Sequence, residues 1–319
     1  RAAGVAVLVG DAGARFAQRL AQGGPTVQLD TVAADMPFVV FLTGTGAAKL
    51  AAATGAAGAM ELANGPARTL DARVRVAAHV QIEVTHAPNV IGIVRGGDPR
   101  LRDEYVLFTA HMDHVGVGAP VNGDSIYNGA DDNASGTSAI LEIAEAAAMA
   151  RPRPRRSLAF LTVSGEEKGL FGSQWFSEHP TVPLGRIVAN LNVDMVGRNW
   201  KDTIAAIGKA QSTLGATADS VARAHPELGL TVVDDLWPEE RFYFRSDHYN
   251  FARKGIPILF FFNGVHEDYH RPSDEPAKID AEKAARVARL IFLTGWAVAN
   301  ADGRPQWDPK ARAEVVERP

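Results

Sequence analysis

The sequence contains no cysteine. Disulfides, thiolate nucleophiles and thiolate-bound zinc are therefore excluded, and any metal must sit among imidazoles and carboxylates. No apolar run approaches the ~20 residues that span a bilayer, so no membrane span is expected. Basic runs that would track a phosphate backbone are also missing, and the net charge is −4; nucleic acid is a poor partner for such a chain. Histidine is scarce and late, with none before His79. There is no internal repeat. What remains is ordinary for a globular chain of 319 residues, 46% apolar and 22% charged, with enough length to bury a large core in one domain or two. The first residue is Arg1 rather than Met, which reads as processing or trimming and leaves the compartment open.

Residues 1–68 are rich in Ala and Gly, with short apolar strands expected at Val5–Val9 and Phe38–Leu42 and a helix near Ala47–Ala57. Leu70–Val94 reads as strands, alternating in Val74-Arg75-Val76 and Val80-Gln81-Ile82-Glu83-Val84. From Glu104 the pattern becomes strand then helix, repeatedly. Buried strands are expected at Tyr105–Ala110, Leu158–Val163, Val188–Val193, Leu230–Val233 and Ile256–Phe262. Helices are expected at Ser135–Ala148, Leu170–Glu178, Thr213–Ala224 and Ala281–Ala299. This alternation predicts an α/β fold, a mixed, largely parallel twisted sheet with helices on both faces. Residues 69–302 would form that domain, and residues 303–319, rich in proline and charge, a peripheral tail.

In such sheets functional residues gather at the carboxyl edges of the strands, and each polar cluster here follows a buried strand. His111-Met112-Asp113 comes first; an imidazole is a good zinc ligand, and a nearby carboxylate can fix its tautomer. Gly129-Ala130-Asp131-Asp132-Asn133-Ala134-Ser135-Gly136 opens a helix that Asn133 or Ser135 can cap, and either acid is a candidate metal ligand. In Gly165-Glu166-Glu167-Lys168-Gly169, one of two adjacent acids can meet a cation while the other serves as a general base. Asp194, at an apolar strand end, is costly unless paired or metal-bound. Last, Tyr269 and His270 follow the most apolar strand; His270 can be a ligand and the Tyr269 hydroxyl can steady an oxyanion.

Together, HMD, GADDNASG, GEEKGLFGS, NVDMVG and DYHRPSDE resemble the co-catalytic di-zinc aminopeptidase family, the secreted bacterial leucyl aminopeptidases and their relatives, over roughly Asn89 to Ala299. The resemblance implies a zinc exopeptidase-like fold and two Zn2+ ions. It implies His111 and Asp194 on one ion, Glu167 and His270 on the other, Asp132 bridging both, Glu166 as the base and Asp113 orienting His111. A cis peptide at Asp132–Asn133 is implied as well. Residues 1–68 resemble part of the protease-associated domain found inserted in many members. The implied partners are peptide substrates, and the implied location is secreted or periplasmic.

Leu236–His248 is the expected specificity segment. Trp237, Phe242, Tyr243 and Phe244 are candidates to line an apolar pocket, and Glu239 and Glu240 to receive a free α-amine. Arg241 and Arg245 would instead suit a carboxypeptidase, and a glutaminyl-cyclase-like acyl transferase is the other enzyme alternative on this scaffold. A peptidase-like binding protein that has lost catalysis would lack ligands or the base, whereas all are present here. Asp247 is expected near the metals without being a ligand, and cobalt or manganese would suit the same ligand types as zinc.

Overall fold

The computed structural model describes residues 4–8, 38–42, 44–58, 61 and 83–317. The chain separates into two units, Arg1–Thr85 and His86–Pro319. In the first, β1 (Gly4–Leu8) and β2 (Phe38–Leu42) pair in parallel, Gly4 beside Phe38 and Leu8 beside Leu42. The helix α1 (Gly44–Ala53) follows and buries Ala47 and Ala51, one turn apart. It begins and ends a few residues earlier than the alanine run suggests. The expected strands over 70–82 lie outside the described residues; between 83 and 94 only β3 (Val90–Val94) is a strand.

The second unit is built on a seven-stranded sheet of order β10-β9-β11-β8-β4-β7-β3. Its members are β3, β4 (Tyr105–His111), β7 (Ser157–Val163), β8 (Ile187–Val193), β9 (Thr203–Ile207), β10 (Thr231–Val233) and β11 (Ile258–Phe262). The central run β11-β8-β4-β7 is parallel throughout, β3 is antiparallel to β7, and β9 is antiparallel to β11. A hairpin of β5 (Gly116–Val121) and β6 (Asp124–Tyr127) stands apart from it.

Because strand side chains alternate between faces, β4 feeds two cores. Val106, Phe108 and Ala110 pack on one side with α2 (Gly136–Met149), α4 (Leu214–Ala224) and α6 (Ala281–Asn300). Leu107 packs on the other with Phe176 of α3 (Phe171–Glu178) and Phe251 of α5 (His248–Ala252). The mixed α/β sheet with helices on both faces is thus as the pattern predicts. Its central parallel strands all present their carboxyl ends at one edge.

After Asp302 the chain stays tied to the same unit. Trp307 donates its indole N–H to the Gly255 carbonyl at 2.9 Å, Asp308 caps α7 (Pro309–Val315), and Glu317 accepts from Arg253 and Lys254, each at 2.9 Å. Among the described residues no helix is long and apolar enough to cross a membrane.

Candidate metal centre

The carboxyl edge of the central strands brings the polar clusters together. β4 ends in His111, whose Nε2 lies 3.2 Å from Asp132 Oδ1 and 3.5 Å from Asp194 Oδ1. Asp194 follows β8 directly, and its other oxygen accepts from Ser246 Oγ at 2.9 Å. Ser246 in turn accepts from Asn192 at 3.1 Å, and Asn192 accepts from Thr109 at 2.6 Å. A chain of buried hydrogen bonds inside the sheet therefore fixes the Asp194 carboxylate, which packing alone would leave free to rotate.

Asp132 sits in the irregular turn before α2. Gly129 enters that turn at φ 66°, and a Cβ there would meet the Asp132 carbonyl and the His114 ring. At Gly136 a Cβ would run into the Asn133 side chain and the Val193 carbonyl, so glycine lets the turn lie against the end of β8. Asn133, not Ser135, satisfies the first N–H of α2, accepting from Gly136 at 2.9 Å. The Asp132–Asn133 peptide is cis. The two adjacent acids point to different places. Asp131 turns inward, accepting from the Gly197 N–H at 2.6 Å and lying 3.2 Å from His266 Nε2; Asp132 turns to the strand edge.

Asp132 Oδ2 faces a second group. His270 Nε2 lies 3.1 Å from it and 3.1 Å from Glu167 Oε2. His114 Nδ1 lies 2.9 Å from Glu167 Oε1 and 3.9 Å from Asp132 Oδ2. The two oxygens of Asp132 thus serve two clusters, His111 with Asp194 and Glu167 with the two histidines. His114 and His266 carry no signal in the sequence patterns; His114 is recognisable only as one more imidazole three residues past His111.

Asp113 acts differently from expectation. His111 Nδ1 lies 3.0 Å from the Asp113 backbone carbonyl and 3.8 Å from its carboxylate. The carboxylate instead accepts the backbone N–H groups of Glu166 at 3.2 Å and Glu167 at 3.3 Å. The tight turn after β4 brings the carbonyl to the ring first, which frees the side chain to hold the Glu166–Glu167 turn.

His111 Nε2, Asp194 Oδ1, His114 Nδ1 and Glu167 Oε1 are all buried and have no hydrogen-bond partner. Buried polar atoms without partners are rare and costly, and these four converge in the two clusters that share Asp132. The donor set, imidazole and carboxylate without thiolate, fits a divalent ion such as zinc. The electrostatics agree. Burial opposes charge on His111, but Asp194 and Asp132 raise it well above the ordinary imidazole range. Burial likewise opposes charge on His270, yet Asp132 and Glu167 push it up to about 10. Burial, aided by Asp247, Asp194 and Glu167 against the pull of His111, pushes Glu166 up to about 9. His111, His270 and Glu166 thus hold protons that a bound cation would displace.

Beside these groups is an open cleft lined by Asp132, Glu166, Asp194 and Tyr269 together with Met195, Phe242, Phe260, Phe262 and Val265. Tyr269 stacks on His270 with ring centroids 3.9 Å apart. Of the expected specificity segment, Phe242 and Arg245 line the cleft, and Trp237 supports its wall by packing edge-on to Phe242 and Phe262. Tyr243 is buried in the core. Glu239 and Glu240 are exposed, with Glu240 paired to Arg245 at 3.2 Å; the acids that line the cleft are Asp132, Glu166 and Asp194. Asp247 is fully buried, and burial pushes it up to about 7.

The sequence profile described as peptidase family M28 matches residues 89–294. The aminopeptidase YwaD of Bacillus subtilis is 27% identical over 228 residues, covering 68% of this chain and 46% of that protein. A "Probable zinc metalloprotease" of Pyrenophora tritici-repentis is 26% identical over 272 residues, covering 72% of this chain and 55% of the relative. Among solved structures, an aminopeptidase from Aneurinibacillus sp. strain AM-1 superposes with a TM-score of 0.52 at 26% identity, over 69% of this chain and 50% of that one. The chain spans about half the length of the curated relatives it matches.

Proposed function

The chain belongs to peptidase family M28, and from that premise we propose that it is a zinc-dependent aminopeptidase with two metal ions. His111 and Asp194 would hold one ion, Glu167 and His270 the other, and Asp132 both. The observation that carries this reading is the pair of clusters on the two oxygens of Asp132, whose buried donor atoms lack any other partner. Two zinc ions in such a site supply an acidified water and polarise the scissile carbonyl.

The rest of the chemistry falls to side chains. Glu166 lines the cleft beside both clusters and takes the proton of the attacking water, then returns it to the departing amine. Tyr269 lines the same cleft, and its hydroxyl steadies the oxyanion. Asp113 holds the Glu166–Glu167 turn by its carboxylate and His111 by its carbonyl. Met195, Phe242, Phe260, Phe262 and Val265 form an apolar wall suited to the first side chain of a peptide.

Arg245 in the cleft wall favours a second reading, a carboxypeptidase that grips a terminal carboxylate. Its charge is already engaged by Glu240 and by the Phe242 ring, 4.7 Å away, so the aminopeptidase reading is the better supported. The test compares peptides with free and with acetylated amino termini. Release of the first residue from free-amine peptides alone supports the proposal; equal cleavage of both, or release from the carboxyl end, refutes it.

A further inference from the structure

We propose that His114 is a ligand of the second metal, a sixth side chain beside the five named above; the inference rests on the two-metal reading. His114 Nδ1 lies 2.9 Å from Glu167 Oε1, yet neither atom has a hydrogen-bond partner. A nitrogen and an oxygen that touch without hydrogen bonding are not aligned on each other. A cation held beside both atoms would take them as two ligands of one ion.

The cluster itself repeats the plan of the first. Ligand atoms of His114, Asp132 and Glu167 lie within 4.8 Å of one another, as do those of His111, Asp132 and Asp194. The fold also prepares the place for the ring. Gly129 adopts φ 66°, and a Cβ at that position would strike the His114 ring. A surface histidine needs no such accommodation, and the His114 side chain is only 9% exposed.

The second metal then has two imidazoles of unequal character. The His114 side chain is 9% exposed, whereas that of His270 is 37% exposed and meets His114 edge-on with centroids 5.6 Å apart. Two imidazoles with two carboxylates favour zinc or cobalt over magnesium or calcium at this position. His114 anchors the ion from inside, and His270 closes it from the more exposed side.

The test uses the full chain stripped of metal and titrated with zinc against a chromophoric chelator, as wild type, His114→Ala and His114→Asn. Asparagine places an amide donor close to where Nδ1 lies, so it can offer Glu167 a hydrogen bond but binds zinc poorly. Both variants are expected to keep the first zinc at wild-type affinity and to bind the second at least about 100-fold more weakly, since even residues behind the ligands change affinity 10- to 100-fold. Wild-type affinity for both ions in His114→Ala would overturn the proposal, and so would full rescue by His114→Asn, which would make His114 a hydrogen-bond partner of Glu167. Should the variants fail to fold, nitrogen-15 NMR of the wild type decides the matter. The His114 Nδ1 resonance should move with the second equivalent of zinc, and a resonance that stays in place refutes coordination. Peptide cleavage enters none of these readouts. A chain that binds two zinc ions through His114 but cleaves no peptide keeps this inference and loses the aminopeptidase reading.

Discussion

The carboxylate of Asp274 accepts the backbone N–H of Asp131 at 3.0 Å and that of Asp132 at 3.1 Å. Asp274 follows His270 by four residues and is fully buried, so one side chain ties the Asp131–Asp132 turn to the loop that carries His270. Asp274→Ala leaves two buried N–H groups unpaired, each costing about 1–3 kcal/mol. The expected loss is about 2–4 kcal/mol in denaturant unfolding of the metal-free protein, with weaker zinc binding. An unchanged midpoint would show that the turn holds without this clamp.

Glu166→Gln removes a base that lines the cleft while touching none of the donor atoms in either cluster at hydrogen-bond distance. The variant should bind two zinc ions and lose about 10²- to 10⁴-fold in kcat, the usual contribution of a positioned proton carrier. Metal analysis beside steady-state kinetics checks both halves; wild-type turnover would remove Glu166 from the mechanism.

The metal-free chain should lose stability as pH rises from about 6.5 to about 9. Folding raises His270 from its ordinary 6.5 to about 10 and Glu166 from 4.5 to about 9, so in this window the folded state binds more protons than the unfolded chain. Stability therefore falls with rising pH. Asp132 and Glu167 are lowered and lose their contribution only in acid, below this window. Zinc reverses the trend because its ligands must shed protons, so its affinity climbs with pH. Thermal unfolding at pH 6.5 and 9, with and without zinc, measures both slopes.

The apolar wall of the cleft should set the preferred first residue. kcat/KM for leucyl or phenylalanyl substrates is expected to exceed that for glycyl ones by at least about tenfold. Val265 is 46% exposed at this wall, and Val265→Trp narrows the cleft from a position that tolerates change. It should lower kcat/KM for phenylalanyl substrates more than for alanyl ones; a uniform fall would locate the first side chain elsewhere.

Much of this architecture is legible in the sequence because buried parallel strands are uninterrupted apolar runs. Tyr105–Ala110 and Ile256–Phe262 announce themselves, and so do the polar residues just past them. β9 escapes because Thr-Ile-Ala-Ala-Ile is short and alanine-rich, and the β5–β6 hairpin because Gly116–Val121 is mostly exposed and has no apolar alternation. At the site, the family resemblance implies His111, Asp132, Glu167, Asp194 and His270, and the structure brings all five together. What residue type does not reveal depends on backbone direction. Asp131 and Asp132 are chemically identical, and only the turn sends one to Gly197 and the other to the strand edge. Asp113 is visible beside His111, but not that its carbonyl meets the ring while its carboxylate takes the Glu166 and Glu167 N–H groups; Asp274 acts on backbone N–H groups and leaves no spacing of side chains to read. Glu239 and Glu240 carry the right charge for an amine but occupy a solvent-facing turn.

The central claim is that Asp132 is shared by two metal ions. Zinc titration of the metal-free chain, with Asp132→Ala alongside wild type, tests it most directly. The account predicts two zinc ions per wild-type chain and a variant weakened for both. A wild type that saturates at one ion, or a variant that loses one and keeps the other at full affinity, would contradict it.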